Sequence, residues 1–593
     1  MKQLLEKTIK TKGIMDDYVW FVNNHQLKDK KAWQDYIDVF VSRVDAKDEK
    51  WRGEYFGKQM RGACYTYAYT QDEELYDILT WVCVSILKTQ DELGRISTYT
   101  TEKEFCGWDM WCRKYVLTGL QHYYRICKDN KLKAEILEAC CKHLDYIVDK
   151  IGPNKIEITT TSCWWGSVNS CTILEPTIEL YKMTKNQKYL EFAKYIISTG
   201  GSSNCNFIEL VLHSELLPYQ YPVTKAYEIM SFFEGLVAYY EVTEEKIYLD
   251  VVCKFMEMVW ESDMTIIGCA GCTHELFDNS ALRQTQYSER IMQETCVTVT
   301  WIRVLARLYF LSKDVKYIDR IEKSGFNALY GSVNTKHCEL FEMFSNKICE
   351  AKVFDSYSPL FMNSRGRGIG GYQEFPNGGY GGCCISIGAC GIALMPLLSV
   401  VSDDKTVYIN YPISGSTEVV DVDGNKVTLV FESNYPTKSI CKIIVLCNRN
   451  CNLNLKIRKP NWCDGMKVNG NIVQCEEYYE ISGGFQEAEE IVFEWLSALK
   501  VHELNDKIAF TYGALTLAVD SAKSDRNIEA PVQLLEQLEY HVLEPKKGEL
   551  VRIECETENG KLLLTDYQSC GKEWTKDNNK ISVWLNTKED INR

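Results

Sequence analysis

The stretch from Glu275 to Cys384 holds the least ordinary chemistry in the sequence. Gln293-Glu294-Thr295-Cys296 opens one helix, and Tyr380-Gly-Gly-Cys383-Cys384-Ile-Ser386 opens another after a glycine-rich loop. Adjacent cysteines do not readily join each other in a disulfide. Two thiolates on a flexible loop, together with Cys296 and Glu294, would instead make a four-ligand site of three sulfurs and one oxygen, suited to zinc. Glycines let the backbone bend closely around such an ion. The chain has 26 cysteines, so some must fall close together, and packed thiols are the competing reading.

Three other motifs are weaker. Cys269-Ala-Gly-Cys272 is a CxxC with no second CxxC and no βαβ context to make it a metal or redox site. His274-Glu-Leu-Phe-Asp278 lacks the second histidine of a zincin. Gly366-Arg-Gly368-Ile-Gly-Gly371 has GxGxxG spacing but follows no strand, and reads as a loop leading to the cysteine pair.

A repeat indicates what positions these residues. An aromatic residue, a small residue at +3 and Tyr or Leu at +8 recur as Tyr67/Thr70/Leu75, Tyr124/Cys127/Leu132, Tyr181/Thr184/Tyr189, Tyr240/Thr243/Tyr248 and Tyr309/Ser312/Tyr317, spaced by 57, 57, 59 and 69 residues. Each copy ends one helix, turns through polar residues and starts another with apolar residues at helical spacing. Hairpins this long exceed common solenoid repeats and leave room for loops at one end. With a sixth hairpin from the Cys384–Val401 helix and the N-terminal helices, the array closes into an α/α toroid. After about Asp404 the texture changes to period-2 runs such as Lys426–Phe431 and Ser439–Val445, with turns expected at Asn469-Gly470 and Asn559-Gly560. The expected fold is therefore α+β and multidomain: residues 1–404 an (α/α)6 barrel, then antiparallel β-sandwich domains at 405–505 and 506–593.

Composition narrows the class. Apolar residues make up 45% and charged residues 25%, an ordinary globular balance. The formal charge is 67 − 82 = −15, with no basic stripe for nucleic acid. The uncharged run from Asn377 to Ser402 begins with glycines and contains Pro396, which suits a buried helix rather than a membrane span. Met1–Gly13 has no apolar run followed by a cleavage site, so the expected compartment is the cytoplasm, with most cysteines reduced.

Trp51-Arg-Gly-Glu-Tyr-Phe-Gly-Lys-Gln-Met-Arg-Gly62, Gln90–Tyr99, Trp111–Leu120, Lys225-Ala-Tyr-Glu-Ile-Met-Ser231, Glu294-Thr-Cys296 and Gly-Gly-Cys383-Cys384 occur in this order. Together they resemble glycoside hydrolase family 127, the β-L-arabinofuranosidase family and its relatives, over nearly the whole chain. The resemblance implies the barrel and sandwich fold, and zinc (Zn2+) held by Glu294, Cys296, Cys383 and Cys384. It makes Cys383 the nucleophile. In Cys272-Thr-His-Glu275-Leu-Phe277, which matches the family's Gly-Glu-x-Phe loop with His274 in place of glycine, it makes Glu275 the acid/base.

The implied activity is that of a retaining exo-glycosidase removing a terminal L-arabinofuranose, or a related sugar, from small glycans. A glycosidase acting on another unusual sugar and a non-catalytic glycan binder with structural zinc are the alternatives. Candidate sugar contacts are Arg52, Glu54 and Lys58 in one polar run, Lys114 and Tyr227 in the recurrent motifs, and Trp108 with Trp111, Trp164 and Trp165 as stacking rings. Tryptophans at helix ends equally suit the core. The expected partner is a small carbohydrate rather than nucleic acid or membrane. The β domains are expected to cover a barrel face or to form a homodimer contact.

Overall fold

A computed structural model describes the chain apart from residues 1–3, 6–8, 47–49, 272, 274, 287–291, 336–338, 342–347, 351–352, 355–356, 363–371, 404, 448–449, 573–579 and 589–593. Cys272, His274 and the glycine motif at 366–371 thus lie outside the described residues.

Six helices form the inner layer of the N-terminal region: α1 (Glu54–Thr70), α2 (Asp109–Ile126), α3 (Leu174–Thr184), α4 (Ala226–Thr243), α5 (Thr295–Ser312) and α6 (Cys383–Leu397). Each contacts the next, and α6 returns to α1, so the contacts close a circuit. These helices are buried on nearly every side; every residue of α1 from Glu54 to Tyr69 is buried. Close approach is built into α1. A Cβ at Gly57 would fall 1.7 Å from the Tyr115 carbonyl oxygen of α2, so only glycine fits there.

Amphipathic helices cover the circuit from outside. Glu73–Leu87 buries Leu75, Ile78, Leu79, Val82, Cys83 and Ile86, one face at helical spacing. Asn130–Lys150, Gln187–Ser198, Lys246–Ser262 and Val315–Lys323 likewise pack on the inner helix that precedes them, and Ile14–Val22 packs on α6.

The sequence repeat is the joint between layers. In four of the five copies the residue after the inner helix, namely Gln71, Lys185, Glu244 or Lys313, is left-handed and donates its N–H to the carbonyl of Tyr67, Tyr181, Tyr240 or Tyr309. The small residue at +3 supplies a hydroxyl. Thr70, Thr184, Thr243 and Ser312 accept the N–H of the next helix's first cap at 3.3, 3.2, 3.3 and 3.1 Å. Cys127 breaks the pattern: it is extended and bonds the Tyr123 carbonyl.

The uncharged run forms α6, with Cys384–Leu397 wholly buried and Pro396 in its last turn. Among the described residues no helix is long and apolar enough to cross a membrane. Cys64, Cys83, Cys140 and Cys390 are free thiols in the core.

From Val400 the chain is β. One sheet runs Ile9–Thr11, Gly415–Val420, Lys426–Ser433, Ile440–Leu446, Glu489–Leu496, Gly465–Val468, Asn471–Val473. A second runs Tyr478–Phe485, Cys451–Arg458, Val407–Ile409, Val400–Ser402. Residues alternate between buried and open along Lys426–Ser433. Strands from Leu499 to Asn586 make a third sheet, which Phe361–Met362 joins through Ile581–Ser582. The sheets therefore recruit strands from before residue 404.

Two expectations need correction. Among the described strands pairing is antiparallel except that Val407–Ile409 runs parallel to Cys451–Arg458, because the chain crosses to the first sheet and back between them. The Asn469-Gly470 hairpin turn forms as expected, but Gly560 already pairs with Thr557. The second turn is therefore centred on Glu558 and Asn559, where the Asn559 amide is tied to the Pro531 carbonyl at 2.6 Å.

Candidate active site

The candidate residues gather at the N-terminal ends of the inner helices, opposite the repeat joints. Glu54 and Lys58 lie in the first turns of α1, Trp111 and Lys114 in those of α2, and Tyr227 and Glu228 in those of α4; Glu294 caps α5. Cys296 lies in the first turn of α5, and Cys383 and Cys384 begin α6. Unsatisfied N–H groups and the positive end of the helix dipole favour anionic groups at such termini. Short strands fix the register of the ligands. Met292–Glu294 pairs with Tyr357–Pro359, and Tyr380–Gly382 pairs with Tyr372–Glu374 immediately before Cys383.

Glu294, Cys296, Cys383 and Cys384 can place one donor atom each so that all lie within 4.8 Å of one another. The Cys383 and Cys384 sulfurs are 3.8 Å apart, and the Cys384 sulfur lies 3.4 Å from Glu294 Oε1. A tetrahedral ion with metal–sulfur bonds of about 2.3 Å requires sulfurs about 3.8 Å apart, so the spacing fits. The second carboxylate oxygen of Glu294 is buried without a hydrogen-bond partner, a costly state that a cation relieves. The quartet can therefore hold a metal ion.

The electrostatics divide the thiols. Hydrogen bonds from Cys296 and Cys384, aided by Lys58 and Lys225, hold the Cys383 thiol well below its ordinary value. Burial pushes Cys296 and Cys384 well above theirs. Cys383 is also the least buried residue of the three cysteines. Burial pushes the Glu294 carboxyl up to about 8, with the negative charge of Cys383 adding to the effect.

Around the quartet lies a polar shell. Lys58 donates to Glu54 Oε1 at 3.0 Å and to the Cys296 sulfur at 3.8 Å, with its ammonium 4.5 Å from the Tyr227 ring. The Trp111 indole N–H donates to the other Glu54 oxygen. Burial pushes Glu54 up to about 8 despite Lys58. Tyr227 and Tyr115 share a hydroxyl–hydroxyl hydrogen bond.

Glu275 forms an ion pair with Lys225, which lies 3.9 Å from Glu228. Its loop is held against α4, since the Ala226 N–H donates to the Glu275 carbonyl at 2.9 Å. Asp263 Oδ1 accepts N–H groups from Asp278 and Asn279 and so anchors the loop's far side.

The remaining candidates sit further out. Arg52 directs its donors to Asp45 at 2.8 Å and to the Glu374 carbonyl at 2.7 Å, joining two loops. Trp108 is buried among Trp51, Trp111 and Trp165. Lys114 lies 4.6 Å from the Trp111 ring, and burial with Arg61 nearby lowers its ammonium to about 7. Trp165, read from the sequence as a stacking ring, lies 4.8 Å from the Lys225 ammonium, and Lys225 and Glu228 are neighbours of the site that the sequence reading did not assign. The three-residue spacing of Lys225 and Glu228 at a helix start was the available signal.

No curated protein matches the sequence. The chain matches the family model for the β-L-arabinofuranosidase GH127 catalytic domain over residues 9–345 and the GH127 middle domain over residues 406–495. A solved GH127 β-arabinofuranosidase is similar at TM-score 0.77 and 16% identity, covering 99% of this chain and 97% of its own. A GH127 β-L-arabinofuranosidase from Geobacillus stearothermophilus T6 gives 0.74 and 16%, covering 98% and 100%. A further glycoside hydrolase gives 0.70 and 13%, covering 98% of each chain. The chain belongs to glycoside hydrolase family 127 and is a glycoside hydrolase.

Proposed function

We propose that this enzyme is a zinc-dependent, retaining exo-glycosidase that releases terminal β-L-arabinofuranose, or a closely related sugar, with Cys383 as nucleophile and Glu275 as acid/base. The observation that carries the reading is the convergence of three sulfurs and one carboxylate within 4.8 Å at two neighbouring helix N-termini. The closed circuit of α1–α6 supports reading residues 1–404 as an (α/α)6 barrel followed by β domains at 405–505 and 506–593. Free thiols in the core persist in a reducing compartment, which supports the cytoplasm.

Glu294, Cys296, Cys383 and Cys384 would hold the zinc, which would supply positive charge that keeps sulfur in the thiolate form. In the first step the Cys383 sulfur attacks the anomeric carbon. The carbon–sulfur bond forms as the glycosidic carbon–oxygen bond breaks, and Glu275 delivers a proton to the departing oxygen. In the second, the Glu275 carboxylate takes a proton from water, whose oxygen displaces the sulfur with net retention. Pairing with Lys225 orients Glu275. Glu54, Lys58 and Tyr227 line the approach to the quartet with groups that hydrogen-bond sugar hydroxyls.

Elemental analysis of reduced wild type and Cys384→Ala, with turnover on a panel of aryl glycosides, tests the proposal. The expected result is about one zinc per chain, lost in the variant together with release of β-L-arabinofuranose. Freshly purified reduced protein without zinc would overturn it, and release of another sugar alone would replace the substrate.

A further inference from the structure

The loop before α3 shows a feature that packing does not explain. Trp164 is 37% exposed, an open position for a large apolar ring. Its neighbour Trp165 lies against it, with ring centroids 5.6 Å apart and planes tilted by 34°. From there an aromatic series runs inward: Trp165 to Trp108 at 6.0 Å, Trp108 to Trp111 at 6.1 Å, and Trp111 to Glu54 through its indole N–H. The exposed ring is thus the outer end of a series that begins in the site.

The backbone that presents this pair is strained. Trp165, Gly166 and Ser167 are all left-handed, with φ of 47°, 60° and 63°. Two of them bear side chains, for which this region is unfavourable. Surrounding bonds hold it in place: Ser167 Oγ donates to the Ser162 carbonyl at 2.7 Å and accepts the Ser162 N–H at 3.0 Å, and Ser203 N–H reaches the Gly166 carbonyl at 2.9 Å. Such strain concentrates where a side chain must be aimed.

Direction comes from Lys225. Its ammonium lies 4.8 Å from the Trp165 ring and pairs with Glu275. In a retaining glycosidase the acid stands beside the departing oxygen, so the wall next to it faces the leaving group.

We infer that Trp164 and Trp165 form the leaving-group subsite, a stacking platform for the sugar ring on the far side of the scissile bond. This rests on Glu275 being the acid. Trp165 is the fixed wall and Trp164 the accessible face, and an apolar sugar face laid on Trp164 removes exposed ring from water. The enzyme accordingly prefers a glycosyl leaving group to a small alkyl one.

The test compares wild type, Trp164→Ala and Trp164→Phe as intact, zinc-loaded chains on a methyl glycoside and on a disaccharide. Both carry the sugar that wild type releases in the panel, β-L-arabinofuranose in the first instance. Trp164→Ala is expected to lose roughly tenfold more kcat/KM on the disaccharide than on the methyl glycoside, chiefly through KM. Trp164→Phe is expected to restore most of that difference. Equal losses on both substrates, or none on the disaccharide, overturn the subsite while leaving Glu275 in place. Glu275→Gln reads the underlying assignment separately: normal disaccharide turnover by that variant removes the acid, and with it the reason for placing the leaving group here.

Discussion

At their C-terminal ends four of the six inner helices turn alike, through left-handed residues and hydroxyl caps, whereas at their N-terminal ends each contributes something different. The charges differ in the same way. Towards the C-terminal end, Arg307 lies 2.7 Å from Glu175, 3.4 Å from Glu234 and 3.5 Å from each of Glu179 and Glu241, and Lys182 adds a bond to Glu179 at 2.9 Å. Although burial pushes Glu179 up, Arg125, Lys182 and Arg307 hold it well below the usual carboxylate range. At the other end Glu54 and Glu294 are pushed up to about 8, and one oxygen of Glu228 and one of Glu294 are buried without partners. One end pairs its buried carboxylates with arginine and lysine and stabilises the ring; the other keeps buried carboxylate oxygens without a partner, available to a ligand.

The largest effect expected from breaking this contrast is at the open end. Cys383→Ser in reduced protein should lower turnover by about a thousandfold or more while the fold survives. Initial rates measured beside metal content check this, and normal rates with zinc still bound would remove Cys383 as nucleophile. At the closed end the effect is on stability instead. Arg307→Met strands several buried carboxylates and should cost about 3–5 kcal/mol, read as a lower denaturant midpoint; an unchanged midpoint would show that the carboxylates find other partners.

A subtler effect concerns the seam between helices and sheets. Asp319, 3.1 Å from Arg458, is pushed up to about 7 by burial in spite of that arginine. The folded state therefore holds a proton that the unfolded state releases from about pH 4. The stability this confers is fully present below about pH 4 and is lost as pH rises through 7. Asp319→Asn should flatten the fall over that window, by at most about 1.4 kcal/mol per pH unit. A slope identical to wild type in pH-dependent melting would count against it. The smallest change expected is at a single joint: Asn186 accepts the Lys188 N–H at 3.1 Å, and Asn186→Ala should cost about 1 kcal/mol, with activity unchanged.

The same contrast explains what could be read from the residues alone. The joints were legible because every inner helix must satisfy its last carbonyls and start its partner, so Thr70, Thr184, Thr243 and Ser312 recur at matching places. The ligand quartet was legible because cysteine and glutamate types narrow the chemistry even at a separation of ninety residues. Lys225 was harder, since its partner Glu275 approaches only when a loop folds back on α4. The pressure on Glu54 was invisible because its exchange of water for Trp111 and Lys58 depends on two helices meeting. The parallel strand pair likewise depends on a crossing between sheets that alternation along one strand does not encode.

The closure of α6 on α1 also has a consequence in time. Residue 383 is made 383 − 54 = 329 positions after residue 54, which at 5–20 residues per second is a delay of roughly 15–65 s. Throughout that interval one flank of α1 faces solvent on the ribosome without its neighbour. The strand Ile9–Thr11 waits longer still, for Gly415–Val420. The two cysteines that complete the quartet emerge with the closing helix, so a newborn chain acquires its candidate reactive centre only as the ring of helices closes.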